Sequence, residues 1–196
     1  MSTIGFLALP SITSEAQALF DEDVAEDGYV MNVSKLWSHN AALVTNLFDL
    51  MGQSIADQNL SFRQRGILVA ACASTLGDSY CSLAWGSKLA GVSDPDLAAA
   101  VIRGGDKGLS DEERELASWA RKVASDPNHT TSQDVESLRT AGFSDSQIFA
   151  ITAFVALRLA FSTVNDALGI GPDAALLETA PKAVVDAVGF GRSTQT

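Results

Sequence analysis

The chain marks its own helix starts. Four serines are followed three residues later by Gln or Glu: Ser14 with Gln17, Ser61 with Gln64, Ser110 with Glu113 and Ser144 with Gln147. In such a capping box the serine hydroxyl accepts a free backbone N–H while the longer side chain reaches back to the cap, so each pair fixes where a helix begins. Helical periodicity follows. Behind Ser61 come Ile67, Leu68, Ala71, Cys72 and Thr75, and behind Ser110 come Leu116, Trp119, Ala120 and Val123. Each set falls on one face at a 3.6-residue period. Leu43, Leu47, Leu50, Met51 and Ile55 form a third such stretch. Helix stops are expected at Gly91, Gly104-Gly105, Pro127, Gly142 and Gly169. No segment alternates apolar and polar residues for long enough to read as a strand. The expected fold class is therefore all-α, a helical bundle.

Aligning the caps exposes an internal repeat. Leu60-Ser61 answers Leu109-Ser110, and Ala90-Gly91-Val92-Ser93-Asp94 answers Ala141-Gly142-Phe143-Ser144-Asp145, a unit of about 50 residues. Two copies make one bundle. Around it we expect a single domain with an N-terminal helical arm at 1–57, a repeated core at 58–170 and a C-terminal tail at 171–196.

Composition excludes several partners. Thirteen basic against 24 acidic residues give a formal charge of −11, which repels phosphate backbones and anionic lipid heads. Neither nucleic acid nor a membrane surface is an expected partner. Two cysteines, Cys72 and Cys81, are too few for a secreted disulfide framework, and Met1 to Pro10 lacks a basic segment leading into a long apolar core. These features read as cytoplasmic. The apolar stretch from Ile148 to Phe161 carries Arg158 and falls short of the roughly 18 to 20 residues a membrane span needs, so it reads as a core helix.

Chemistry concentrates between the Ser61 helix and the Gly91 stop, in Leu76-Gly77-Asp78-Ser79-Tyr80-Cys81-Ser82-Leu83-Ala84-Trp85-Gly86. The order of features there is a capped helix with Arg63 and Arg65, a Gly turn, a Cys opening the next helix, then an Ala-Gly-x-Ser-Asp turn. This order resembles the alkylhydroperoxidase D and carboxymuconolactone decarboxylase family, closest to its peroxidase-related branch, over about Phe6 to Gly169. The downstream stretch from Leu138 through Gly169 is similar to the branch's last long helix. The resemblance implies an alkylhydroperoxidase D-like bundle, a homo-oligomer and a thiol-dependent peroxidase needing no cofactor or metal. The family's site uses Cys-x-x-Cys, a His four residues after the second Cys and a Glu on the preceding helix. Only Cys81 matches, at the second, attacking position. The first Cys falls on Asp78, the His on Trp85 and the Glu on Gly66.

Two readings of Cys81 follow. In one it is the single reactive thiol of a hydroperoxide reductase, with Asp78 as proton carrier, served by an external thiol. In the other it is a small buried hydrophobe beside a helix-capping Asp, in a non-catalytic oligomeric binding or scaffold protein. The helix dipole lowers the thiol pKa while Asp78 raises it, and the sequence leaves the net direction open. Tyr80, Trp85 and Arg158 are the candidate pocket residues. Arg158 begins a polar line on the last long helix, with Ser162, Asn165 and Asp166. It is expected either in a salt bridge or at a pocket floor binding an anionic group. Cys72 reads as core filler, and a Cys72–Cys81 disulfide is not expected. His39 and His129 have no ligand-spaced partners, so no zinc site is expected.

Overall fold

The computed structural model describes residues 2–194. Met1 and residues 195–196, the outermost ends of the expected arm and tail, lie outside the described residues. The elements are β1 (Thr3–Ile4), β2 (Leu7–Ala8), α1 (Ser14–Asp27), α2 (Asn32–Trp37), α3 (Ala41–Ile55), α4 (Phe62–Leu76), α5 (Ser79–Gly91), α6 (Pro95–Ile102), α7 (Asp111–Ser125), α8 (Ser132–Thr140), α9 (Asp145–Ala167), α10 (Ala174–Thr179) and α11 (Lys182–Val185). The architecture is all-α. β1 and β2 form only a two-residue antiparallel hairpin, pairing Thr3 with Ala8 and Ile4 with Leu7.

Ser61, Ser110 and Ser144 each close a full capping box and begin α4, α7 and α9. The fourth expectation is displaced by one residue. Thr13, not Ser14, caps α1, because its hydroxyl accepts from Ala16 while Gln17 turns outward to Asp21. A further box, Thr131 with Asp134, begins α8. A threonine hydroxyl and an aspartate can play these parts as well as Ser and Glu.

The repeat is real in its first half and broken in its second. α4 and α7 are both 15 residues long and pack against one another. Their N-termini are bolted together by Arg63, which meets Glu113 at 2.5 and 2.9 Å, and by Gln64, which donates to Glu112 at 2.7 Å. After the matching Gly turns, however, α6 runs for 8 residues and α9 for 23. α9 packs across α3, α4 and α7. By length and composition it could cross a membrane, which the shorter apolar stretch read from the sequence could not. Its inward face is buried: Ile148, Ile151, Phe154, Val155, Arg158, Phe161, Ser162 and Asn165.

Residues 171–194 are built into the core. Val184 on α11 is fully buried and α11 packs on α5 and α6. Asp173 accepts from the Asn32 backbone and from the Tyr80 hydroxyl, joining this segment to α2 and α5. Further on, Gly191 has φ of 72° and passes so close to the α4–α5 turn that a β-carbon would stand 2.5 Å from the Gly77 carbonyl oxygen. Only glycine satisfies both demands.

The caps and the Arg63–Glu113 bolt are testable on stability. Ser110→Ala removes a cap that orders a buried helix and should cost about 1 kcal/mol in urea unfolding. Arg63 holds the Glu113 carboxyl below its ordinary value of 4.5. A lowered folded pKa adds stability that is present above the unfolded value and is lost as pH falls through the folded one. Glu113→Gln should therefore destabilise at pH 7 and leave a smaller loss of stability on acidification below about pH 4.5 than the parent shows.

Candidate functional site

α4 ends at Gly77, which takes the left-handed conformation (φ 84°) that closes a helix, and Asp78 caps the next. The Asp78 carboxylate oxygen Oδ1 accepts the Cys81 backbone N–H at 2.8 Å. Cys81 therefore stands in the first turn of α5, as expected, but it is not at the surface: it is 2% exposed and Asp78 is 0% exposed. The second carboxylate oxygen of Asp78 is buried without a hydrogen bond of ordinary geometry.

α9 supplies the opposite wall. Arg158 is buried, and its Nη2 lies 3.6 Å from the Cys81 sulfur while Nη1 lies 3.9 Å from the Met51 sulfur. The guanidinium carbon also sits 5.3 Å from the Trp85 ring centre and 5.4 Å from that of Phe161. No carboxylate forms an ion pair with Arg158 among the described residues. The internal salt bridge anticipated as one fate of Arg158 is thus replaced by two sulfurs and two aromatic faces. Ring faces carry negative potential and attract a guanidinium even where water is excluded. Ser162, one turn further along α9, lies beside the thiol.

Electrostatics at the sulfur now have a direction. Burial pushes the Cys81 thiol well above its usual range, and Asp78 adds to this through its charge and its closeness to the thiol proton. Arg158 and then Ser162 oppose the rise. Cys72, also buried, is pushed up to about 12 by desolvation, and both cysteines are free. Asp166, two turns beyond Arg158, is raised to about 6, first by burial and then by the charge of Asp78. Arg192 ties the two sides together. Its guanidinium donates to the Asp166 carbonyl at 2.9 Å, and its backbone exchanges hydrogen bonds with the Ser79 hydroxyl at 2.8 and 3.1 Å.

The nominated residues divide by position. Asp78, Cys81 and Arg158 come together, and Trp85 roofs Arg158. Tyr80 points away from this cluster, donating its hydroxyl to Asp173 at 2.5 Å and so anchoring the C-terminal segment. At Gly66 a β-carbon would already stand 3.3 Å from Leu89, so the close packing of α4 on α5 occupies the space where the family pattern has a glutamate. His129 does have a carboxylate neighbour, Asp126 at 2.5 Å, because the turn at Pro127 brings positions three apart together. The pair is exposed, and no group of three or more potential metal ligands exists among the described residues. The role of Met51 and the aromatic clamp on Arg158 had no sequence signal beyond apolar periodicity on α3 and α9.

Asp78→Asn keeps an oxygen to cap α5 but removes the charge beside the thiol. It should lower the Cys81 pKa and speed alkylation by iodoacetamide at neutral pH by about threefold to tenfold, one pKa unit being a tenfold change. Arg158→Met should shift the pH profile of alkylation the other way.

No protein-family model matches the sequence, and no curated protein does. Solved structures do match. An uncharacterized peroxidase-related protein from Ralstonia eutropha JMP134, described as an alkylhydroperoxidase AhpD core, superposes with a TM-score of 0.80 at 22% identity over 93% of this chain and 100% of its own. A peroxidase-related protein from Silicibacter sp. TM1040 gives 0.77 at 23% identity over 88% and 94%. The debrominase Bmp8, as a cysteine-to-alanine variant in complex with 2,3,4-tribromopyrrole, gives 0.73 at 16% identity over 96% and 98%. The chain has the alkylhydroperoxidase D-like fold.

Proposed function

We propose that this protein is a peroxidase-related member of the alkylhydroperoxidase D and carboxymuconolactone decarboxylase family that works with one cysteine, as a thiol-dependent hydroperoxide reductase centred on Cys81. The observation that carries this reading is the contact of the Arg158 guanidinium with the Cys81 sulfur at 3.6 Å, at a turn that the fully buried Asp78 caps. Arg158 is the strongest influence at the sulfur that favours the thiolate, the nucleophilic form, and it acts against the burial and the Asp78 charge that hold the thiol protonated.

In the first step the thiol proton passes to Asp78. The thiolate attacks the terminal oxygen of a hydroperoxide, so that the O–O bond breaks as the S–O bond forms. The alkoxide that leaves takes the proton held on Asp78 and departs as an alcohol. Sulfur is oxidised by two electrons to sulfenic acid. No second cysteine stands at residue 78, so an external thiol condenses with the sulfenic acid, releasing water and leaving a mixed disulfide. Another thiol then restores Cys81 and carries the disulfide away. Small thiols of this kind belong to a reducing compartment, which fits a cytoplasmic protein. The exposed apolar residues Leu43 and Leu50 on α3, on either side of the half-buried Leu47, supply a face for the homo-oligomer.

Intact-mass analysis after an alkyl hydroperoxide should show one added oxygen, or an added small thiol when one is supplied, and not the loss of two hydrogens. Cys81→Ser should abolish the adduct and Cys72→Ser should keep it. Asp78→Asn then separates the roles of the carboxylate: alkylation speeds up, whereas reaction with the hydroperoxide slows, since the leaving alkoxide loses its proton donor. A Cys81 that resists both reagents in the native protein and reacts only after unfolding would establish the structural alternative. The bromopyrrole complex of Bmp8 makes a bromopyrrole the second electrophile for the same assay, with bromide release as its signal.

A further inference from the structure

A cavity of about 230 Å³ lies where α1, α2 and α3 meet α5 and α9. Its walls divide by chemistry. The inner wall is apolar and aromatic, formed by Trp37, Phe48 and Phe161 with Val33, Val44 and Met31. Trp37 stacks on Phe161 at 5.5 Å with planes 9° apart, and Phe48 tilts against the same Phe161 ring at 5.2 Å, so the wall is a rigid corner of three rings. The Trp37 indole N–H is already spent on Asn165 at 2.8 Å, which leaves its ring as a purely apolar surface toward the cavity.

The outer edge carries charge. Glu22 and Glu26 on α1, one helical turn apart, both border the cavity and are exposed, and neither makes an ion pair or side-chain hydrogen bond among the described residues. Asp23 beside them is engaged, accepting the Met31 backbone N–H at 2.9 Å. The single cation of the edge, Lys88, leans over the Trp85 ring at 5.5 Å. Three carboxylates against one ammonium give this mouth a net negative charge, in keeping with the −11 of the whole chain.

From this division we infer that the cavity is a binding site for a small aromatic amine, its ring laid against Trp37, Phe48 and Phe161 and its ammonium at Glu22 and Glu26. The volume equals that of roughly eight waters, which suits a ligand of about nine heavy atoms. Burial of one ring against an aromatic corner supplies the affinity. Exposed carboxylates contribute discrimination: each pair with an ammonium adds a modest attraction that salt screens. The site stands on its own lining and holds whether or not Cys81 is a nucleophile. Phe161 nevertheless links the two, since it walls the cavity and also lies under Arg158.

Calorimetry at pH 7 and low salt with three probes that share a phenyl ring on a two-carbon arm tests it: 2-phenylethylamine, 2-phenylethanol and 3-phenylpropanoate. The amine should bind about threefold to tenfold more tightly than the alcohol, and the propanoate more weakly than either. Glu22→Gln with Glu26→Gln, both exposed and so harmless to the fold, should bring the amine down to the alcohol, as should high salt. Val44→Phe should fill the cavity and remove binding of all three. Equal binding of the three probes, preference for the propanoate, an amine preference that survives the double Gln variant, or no binding of any probe overturns the proposal. Repeating the series on Cys81→Ser, where affinity should be unchanged, keeps this result separate from the outcome of the thiol assays.

Discussion

A guanidinium buried without a carboxylate is the constraint around which this bundle is arranged. Taking an ion out of water costs several kcal/mol after relaxation, and an unmatched one would unfold a domain whose whole stability is about 5 to 15 kcal/mol. Arg158 is kept by many partial compensations: two sulfurs, two aromatic faces each worth about 0.5 to 2 kcal/mol, and the buried charge of Asp78 acting through the thiol between them. These compensations come from several helices: Met51 from α3, Trp85 and Cys81 from α5, Phe161 from α9 itself. Moving any one of these helices exposes or strands the charge. The position of Arg158 thus ties α3, α5 and α9 into a single arrangement.

The broken symmetry of the repeat makes this possible. Both halves begin with an equivalent capped helix, and α4 lies on α7 so that the two starts share the Arg63–Glu113 pair. After the Gly turn the first half stops at Ile102, whereas the second continues to Ala167. Ser162, Asn165 and Asp166 all lie in that extra length, and so does Arg158. A bundle built from two equal halves would have no helix long enough to reach from the α3 face to the start of α5. Duplication accounts for the scaffold, and the elongation of one copy accounts for the polar line within it.

Local chemistry was legible in the sequence, and convergence was not. Capping boxes and glycine stops depend on neighbours three to five residues away, so Ser61, Ser110 and Ser144 announced their helices. The slip at Ser14 shows the limit: two adjacent hydroxyls compete for one cap, and only the direction of the incoming chain decides for Thr13. The polar line from Arg158 to Asp166 was visible as a face. Its partners were not, because Met51 and Phe161 look like any other apolar residues at helical spacing. The same holds for the segment after Pro172, where Val184, Asp173 and Gly191 give no sign in sequence that they lock onto α5 and the Gly77 turn. The aromatic cavity is likewise a product of five helices meeting.

Asp78 concentrates the question of what the fold has been adapted to do. A helix cap needs one carboxylate oxygen, and Oδ1 fills that need on the Cys81 backbone. Capping residues usually keep the rest of the side chain in water, since a buried carboxylate oxygen without a partner costs about 1 to 3 kcal/mol or more. Here Oδ2 is buried and unmatched beside a thiol that Arg158 also touches. Ser or Thr would cap α5 without that penalty, so the cap explains only half of the side chain. In the proposed reaction the other half takes the proton of Cys81 and returns it. A carboxylate at this turn has no sulfur with which Cys81 could close a disulfide, so under the proposed reaction it carries a proton and stores no electrons. In that reaction the electrons come from outside the chain.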